Sequence, residues 1–309
     1  AEFFKSMGRS MSALPLSILD SIINMTIQYM MALDQAQSSF SKATGFGRKY
    51  HGVIMDVEAS TRHLGIAAAD IDKATQSFVN NLGGVSQMSN QAKGQLVGTI
   101  AKLNQIGVGF DAGAKAASLF TDGLGLSAME ASKTVEELAM MGEAINMSAK
   151  DMINGFQQAS TQLAVYGKRM QVQIFGKLAA AAKAAGVEIG SLLKIAGGFD
   201  TFAGAAEQAG KLNAILGSNL SSTELLMMTE EQRIETVIKE IQMGGTRFQD
   251  MDRFKQKAIA NALGITDMAE ANKILGVSFG KYKQNQELMK KQAAAQKKVD
   301  KAIADSKSV

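Results

Sequence analysis

Cysteine and tryptophan are absent from the 309 residues, and there is one proline and two histidines. Without cysteine the chain has no disulfide framework, no thiolate metal site and no cysteine nucleophile. His51 and His63 alone leave almost nothing for a histidine-based metal or acid–base centre, and they stand too far apart to pair on one helical face. One proline is far below average usage of roughly 5%, which argues against turn-rich β folds. Disorder is excluded from the other side: 46% of residues are apolar, enough to bury a core.

What is present favours helix. There are 19 Met against 18 aromatics, 14 of them Phe, and Ala is abundant. Ala, Met, Leu, Gln, Lys and Glu lose little on entering a helix, so the expected class is all-α. The length allows one to three domains. The reading divides the chain into an apolar helix with its connector at 1–60, a segmented helical region at 61–280, and a Lys/Gln-rich helix or coiled-coil seam at 281–309.

Residues Leu14 to Leu33 form the most apolar stretch. Pro15 suits a helix first turn, where its missing N–H is not needed. Ser17, Asp20, Ser21, Asn24 and Gln28 share one narrow face. Twenty helical residues span about 30 Å, the thickness of a bilayer's hydrocarbon layer, but Asp20 and Asn24 near the centre make a lipid-facing span costly. A helix buried in a bundle or oligomer and a membrane-contacting helix both remain open from the residues alone.

From about Thr61 to Gly276 short amphipathic runs end near a glycine and restart on Ser, Thr or Asp. Glycine past a helix end takes the left-handed conformation without steric cost, so Gly125, Gly217 and Gly264 are expected between helices. Five capping boxes are expected: Ser127 with Glu130, Ser148 with Asp151, Ser221 with Glu224, Thr229 with Gln232, and Thr246 with Gln249. Val135, Leu138, Gly142 and Ile145 fall on one helical face, with Glu136, Glu137 and Glu143 elsewhere. Helices this short are stable only when packed on one another. The spacing of the runs is too irregular for a fixed-repeat solenoid.

Residues 281–309 hold eight Lys and three acids, a net charge of +5, whereas residues 1–280 carry 25 basic and 26 acidic groups. Leu288, Gln292, Ala295, Val299 and Ala302 step by four and three, a seam of low hydrophobicity about three heptads long. A solvated terminal helix and a self-association seam are the two readings. With one aromatic, Tyr282, and no arginine, this segment offers neither base stacking nor bidentate base readout, so specific nucleic-acid binding is not expected.

No catalytic or cofactor motif completes. In Gly107-Val-Gly-Phe-Asp-Ala-Gly113 an alanine occupies the third glycine's place of a dinucleotide fingerprint and no strand precedes it, so it reads as an inter-helix loop. The pairs Glu136–Glu137 and Glu230–Glu231 are neighbours in sequence and point about 100° apart on a helix. No enzyme activity, metal or cofactor is expected.

The run from Gly198 to Gly217 (GFDTFAGAAEQAGKLNAILG), then Leu225-Leu-Met-Met-Thr-Glu-Glu231, then Phe248 to Gly264 (FQDMDRFKQKAIANALG), resembles the tail tape measure proteins of contractile-tailed phages. The restarts in GLSAMEASKTVEELAMMGEAINMSAKDMINGF are similar to that family's helical middle regions. The likeness covers roughly residues 120–276. It implies a structural virion protein inside the tail tube, acting in tail assembly, length determination and genome ejection. It also implies a few copies, commonly three, in contact with tube and baseplate-hub proteins, with possible transient contact with the host membrane. One unbroken helix of this length would reach about 460 Å, which the glycines forbid. The expectation is therefore a compact segment of a longer chain at the distal end of the tail. The alternative is a membrane-active translocator or pore former inserting through residues 14–33.

Overall fold

The computed structural model describes residues 16–45, 47–244 and 246–306, without the side chains of 16–20, 22, 23, 26, 33, 36, 37, 47, 48, 279, 282, 293 and 296–306. Leu14 and Pro15, where the apolar stretch begins, lie outside the described residues. Among the described residues every regular element is helical and none is a strand. The chain divides into two compact units, residues 1–132 and 133–309.

The first unit holds α1 (Leu16–Thr44), α2 (His51–Thr61), α3 (Ala68–Asn81), α4 (Asn90–Gln105) and α5 (Phe110–Ser118), the last prolonged by a π-turn at Leu119–Gly123. Its core follows helical spacing. Ile71, Ala74, Thr75 and Phe78 stripe one side of α3, and all four are buried. Each large apolar side chain so buried contributes about 1.5–3 kcal/mol. Two glycines set the approach of α2 to α4. A Cβ on Gly94 or Gly98 would stand 3.7 or 3.8 Å from the Val57 methyls. Phe40 near the end of α1 packs edge-on against Tyr50, with centroids 5.3 Å apart.

Helix α6 (Ala128–Ala144) crosses the division between the units. Its Val135, Leu138 and Gly142 are buried, as is Ile145 just past its end, and Glu136, Glu137 and Glu143 are exposed. Gly142 tolerates no side chain, because a Cβ would lie 2.7 Å from the Met147 carbonyl oxygen and 2.6 Å from Met152.

The second unit continues with α7 (Ala149–Leu163), α8 (Lys168–Ala185), α9 (Ile189–Gly197), α10 (Phe202–Leu216), α11 (Ser222–Met227), α12 (Glu230–Met243), α13 (Arg253–Ala262), α14 (Met268–Leu275) and α15 (Phe279–Ser306). Its centre is α8, buried along Leu178-Ala-Ala-Ala-Ala182 as well as at Val172, Ile174, Phe175 and Gly176. A helix apolar on most sides must be enclosed by its neighbours, and α7, α9, α12, α14 and α15 all pack on it. Phe175 meets Phe156 of α7 edge-on at 5.2 Å.

Several helix starts are capped by side chains, though those of α2, α3, α5, α8 and α9 are not. Ser127 and Glu130 bond reciprocally, with N–H to Oε2 at 2.9 Å and N–H to Oγ at 3.3 Å. Ser148 and Ser221 accept from the N–H of Asp151 and Glu224 at 3.0 and 3.3 Å. The Thr229 N–H donates to Gln232 Oε1 at 3.0 Å, closing a capping box. The box expected at Thr246 and Gln249 is not formed. A short 3-10 turn, Phe248–Asp250, occupies that stretch, and the helix starts later, where Asp252 accepts from the N–H of Phe254 and Lys255. Thr201 and Asp267 cap α10 and α14 in the same way.

The glycines serve two purposes. Gly125, Gly217 and Gly264 have φ of 61°, 70° and 70°, a conformation that L-residues adopt only at a cost. Others, such as Gly94, Gly142 and Gly176, sit inside helices where a neighbour comes close.

Candidate interaction surfaces

The middle of α1 is the most exposed apolar surface in the first unit. Met25, Ile27, Met30 and Met31 are 62%, 48%, 65% and 66% exposed. Between Asp20 and Asp34 the sequence carries no charge. Isolated exposed apolar residues are ordinary, but four within two turns are not. The side chains of Ile22 and Ile23 lie outside the described residues.

This helix is tied down within that stretch, at Tyr29, by a polar latch. The Tyr29 hydroxyl donates to Glu58 of α2. Arg62 donates from Nε and Nη2 to the two Glu58 oxygens at 3.0 Å each, and its guanidinium stacks 4.5 Å from the Tyr29 ring centroid. Glu58 is buried, and the Arg62 hydrogen bonds hold its carboxyl below the usual carboxylate range. Burial, followed by the hydrogen bond to Glu58, pushes the Tyr29 hydroxyl up. Asp72 on α3 differs. It is buried, Gln76 donates to its Oδ2 at 3.0 Å, and Oδ1 has no partner. Burial raises its carboxyl, since desolvation disfavours the charged form.

Helix α15 lies antiparallel on two helices of its unit. Asn285 donates to the Ala180 carbonyl of α8 at 3.2 Å, and Met289 abuts Gly176 four residues back. Lys283 pairs with Glu235 of α12, and Gln242 donates to the Val277 carbonyl at 2.5 Å. The buried face is thus Gln286 and Met289. Of the seam residues, Leu288 and Ala295 are exposed and Gln292 is half-buried, while the side chains of Val299 and Ala302 lie outside the described residues. Lys290 pairs with Glu287 at 2.8 Å, Lys291 is exposed, and the side chains of Lys297 and Lys298 are not described.

A buried polar node that the sequence does not announce lies at the start of α12. Arg233 is 4% exposed. Its guanidinium donates to the carbonyls of Leu225 at 2.8 Å, Leu226 at 3.0 Å and Ala196 at 3.0 Å, and to Asp200 Oδ1. It thereby fixes the ends of α9 and α11 together. Beside it Tyr166 hydrogen-bonds the Glu230 carboxylate, and burial followed by that bond pushes the phenol up to about 12. Glu230 itself is buried and its Oε2 has no partner. Glu231 is buried but paired, accepting from Lys177 at 2.6 Å and from the Thr229 hydroxyl. So the adjacent glutamates of the sequence do serve separate places.

The remaining chemistry is sparse. A cleft of about 280 Å³ lies between the start of α9 and residues 264–270, lined by Glu188, Ser191, Lys194, Ile195, Thr266 and Glu270. Among the described residues no group of three or more His, Asp and Glu is placed to hold a metal ion. Gly107 and Gly109 form the loop between α4 and α5, and Gly113 sits inside α5 against Ile100 and Leu103. No helix among the described residues is long and apolar enough to cross a membrane. Comparison with family models, with curated proteins and with solved structures returns no match.

Proposed function

We propose that this chain is a structural assembly segment of a phage tail tape measure protein. In this reading it is a non-catalytic, segmented helical bundle punctuated by glycines, with a long apolar helix near its start and a basic helix near its end. It acts at the distal tail tube and baseplate hub, in tail assembly, length determination and genome ejection. It associates with copies of itself, as a trimer, through the α1 strip. Its basic end meets acidic groups of the tube or hub.

The observation that carries this reading is the uncharged middle of α1, where Ile27, Met30 and Met31 lie on one side and Met25 on the other, all exposed, on a helix anchored at Tyr29 and Phe40. An apolar surface of that kind is a partner surface. Methionine suits one that must adapt and let go, because its side chain is flexible and polarisable. The family itself rests on the likeness of residues 120–276 described above.

The test is to locate the chain in tailed particles. Mass spectrometry of purified virions should find its peptides, and antibody against residues 133–309 should label the tail tip once the particle is opened. Loss of the gene should give tail-less particles. Intact virions lacking the chain would overturn the reading.

A further inference from the structure

We infer that the corner where α2 and α4 begin, around Lys93 and Tyr50, binds the phosphate group of a phosphate monoester, free or at the head of a lipid. The site lies within the first unit, and the inference does not depend on the tape measure reading.

Four observations carry it. First, Lys93 is a buried cation without a counter-charge. It is 6% exposed, and among the described residues its ammonium has neither a hydrogen-bond acceptor nor an ion-pair partner. It stands over the Tyr50 ring, 5.5 Å from the centroid, near the outer limit of a cation–π contact. That ring face gives its three N–H donors no lone pair. A buried charge with no partner costs several kcal/mol, and a bound anion offsets this. Unlike Asp72 Oδ1, the Nζ atom is not fully enclosed, so an anion has a way in.

Second, two helix starts meet at this contact. Lys93 sits in the first turn of α4, and Tyr50 is the residue on which α2 begins. A side chain in a helix leans toward the helix N-terminus, which carries the ammonium toward the start of α4. Both starts add partial positive charge and favour an anion. Ser89 caps α4 by accepting from the Ala92 N–H at 3.2 Å, whereas no side chain caps α2.

Third, the segments that build the corner carry charge of one sign. Residues 35–55 hold Lys42, Arg48 and Lys49, residues 73–110 hold Lys73, Lys93 and Lys102, and neither stretch contains an acid. The first acids further along α2 are Asp56, which is exposed, and Glu58, which is already held by Tyr29 and Arg62.

Fourth, the backbone is open to approach. Gly52, in the first turn of α2, is exposed, and a Cβ there would meet no atom within 4 Å. Lys49, just before Tyr50, is also exposed. A phosphate fits this arrangement better than a carboxylate, because its three terminal oxygens can accept from an ammonium and from backbone N–H groups at once.

The experiment uses the intact chain and amide NMR, with inorganic phosphate as probe and sodium chloride at matched ionic strength as control. Saturable shifts are expected at Lys49, His51, Gly52, Ala92 and Lys93 with phosphate only. Lys93→Met keeps the apolar stem, removes the charge and should weaken binding about tenfold or more, the loss of one charge-assisted contact. Lys102→Met, at an exposed position of the same helix, should leave binding unchanged. Gly52→Asp places a carboxylate where the phosphate approaches and should abolish binding; an acid is favoured in a helix first turn, so the fold is kept. Sedimentation with vesicles of equal phosphatidic acid and phosphatidylcholine separates the two sources. Pelleting that free phosphate reverses assigns a lipid headgroup, and phosphate shifts without pelleting assign a soluble monoester. Three results would overturn the inference: an equal response to chloride; unchanged binding in both Lys93→Met and Gly52→Asp, which makes Lys93 merely structural; or no saturable shift at these residues.

Discussion

The two longest helices teach opposite lessons about reading burial from composition. Helix α1 (Leu16–Thr44) is the apolar one, yet Met25, Ile27, Met30 and Met31 face outward and a Tyr–Glu–Arg latch helps to hold it. Helix α15 (Phe279–Ser306) is rich in Lys and Gln, yet it packs closely on two neighbours through Gln286 and Met289 and is fixed by Lys283 and Asn285. An apolar sequence says that a surface needs cover, not that its own unit supplies it. A polar sequence can pack tightly when one methionine meets a glycine.

The largest effect should come from breaking the α15 contact. Met289→Ala removes the side chain that abuts Gly176 and should destabilise the second unit by about 2–4 kcal/mol, the usual range for a buried Met→Ala. Urea unfolding followed by circular dichroism measures it. Leu288→Ala, at a position 43% exposed, should cost much less. Equal costs would mean that the face is misassigned.

Next comes the latch. Glu58→Gln keeps the shape but loses the charged hydrogen bonds with Arg62, and should cost about 1–3 kcal/mol. The pH dependence has a definite sign. Because the folded carboxyl is depressed, the latch stabilises fully above the unfolded value of about 4.3 and the benefit is lost as pH falls through the folded value. The protection factors of α1 amides, taken relative to the intrinsic exchange rate at each pH, should therefore fall in acid, and Glu58→Gln should remove most of that response.

Asp72 should behave in reverse. Its carboxyl is raised, so it favours folding below the unfolded value of about 3.9 and loses that contribution as pH climbs through the folded value. Asp72→Asn should thus stabilise the first unit at neutral pH, by roughly 1 kcal/mol, and have little effect in strong acid. Thermal melts at two pH values decide the sign.

Smallest of all in stability is the strip. Met25→Ser with Met30→Ser should change unfolding free energy by no more than about 0.5 kcal/mol, since exposed positions contribute little. It should nevertheless reduce self-association.

The helical class was legible from composition; of the five expected capping boxes, those at Ser127 and Thr229 close reciprocally, while Ser148 and Ser221 give the cap without the return bond. The fifth failed for a local reason: Asp252 offers an acceptor to two N–H groups and draws the helix start past Thr246. The packing face of α15 was not legible. Leu288 and Ala295 step as a seam, and residues 286 and 289 carry a weaker apolar signal, so the choice was made by the bare backbone of Gly176 on another helix. Nor could the Arg233 node be read. Arg233 stands in an ordinary amphipathic run, and three of its partners are backbone carbonyls that have no sequence identity. The 132/133 division falls within α6 without a change of composition to mark it. Tyr29 and Glu58 meet across 29 positions, a separation at which neither residue type points to the other.

The most direct test of the assembly role is the solution mass of the intact chain with and without charge in the α1 strip, by light scattering behind size exclusion. The account predicts an oligomer for the natural sequence, three copies in the proposed form. Met25→Asp with Met31→Asp should give a folded monomer of unchanged helicity. A natural chain that is monomeric at high concentration, or a double variant that assembles as before, would contradict it.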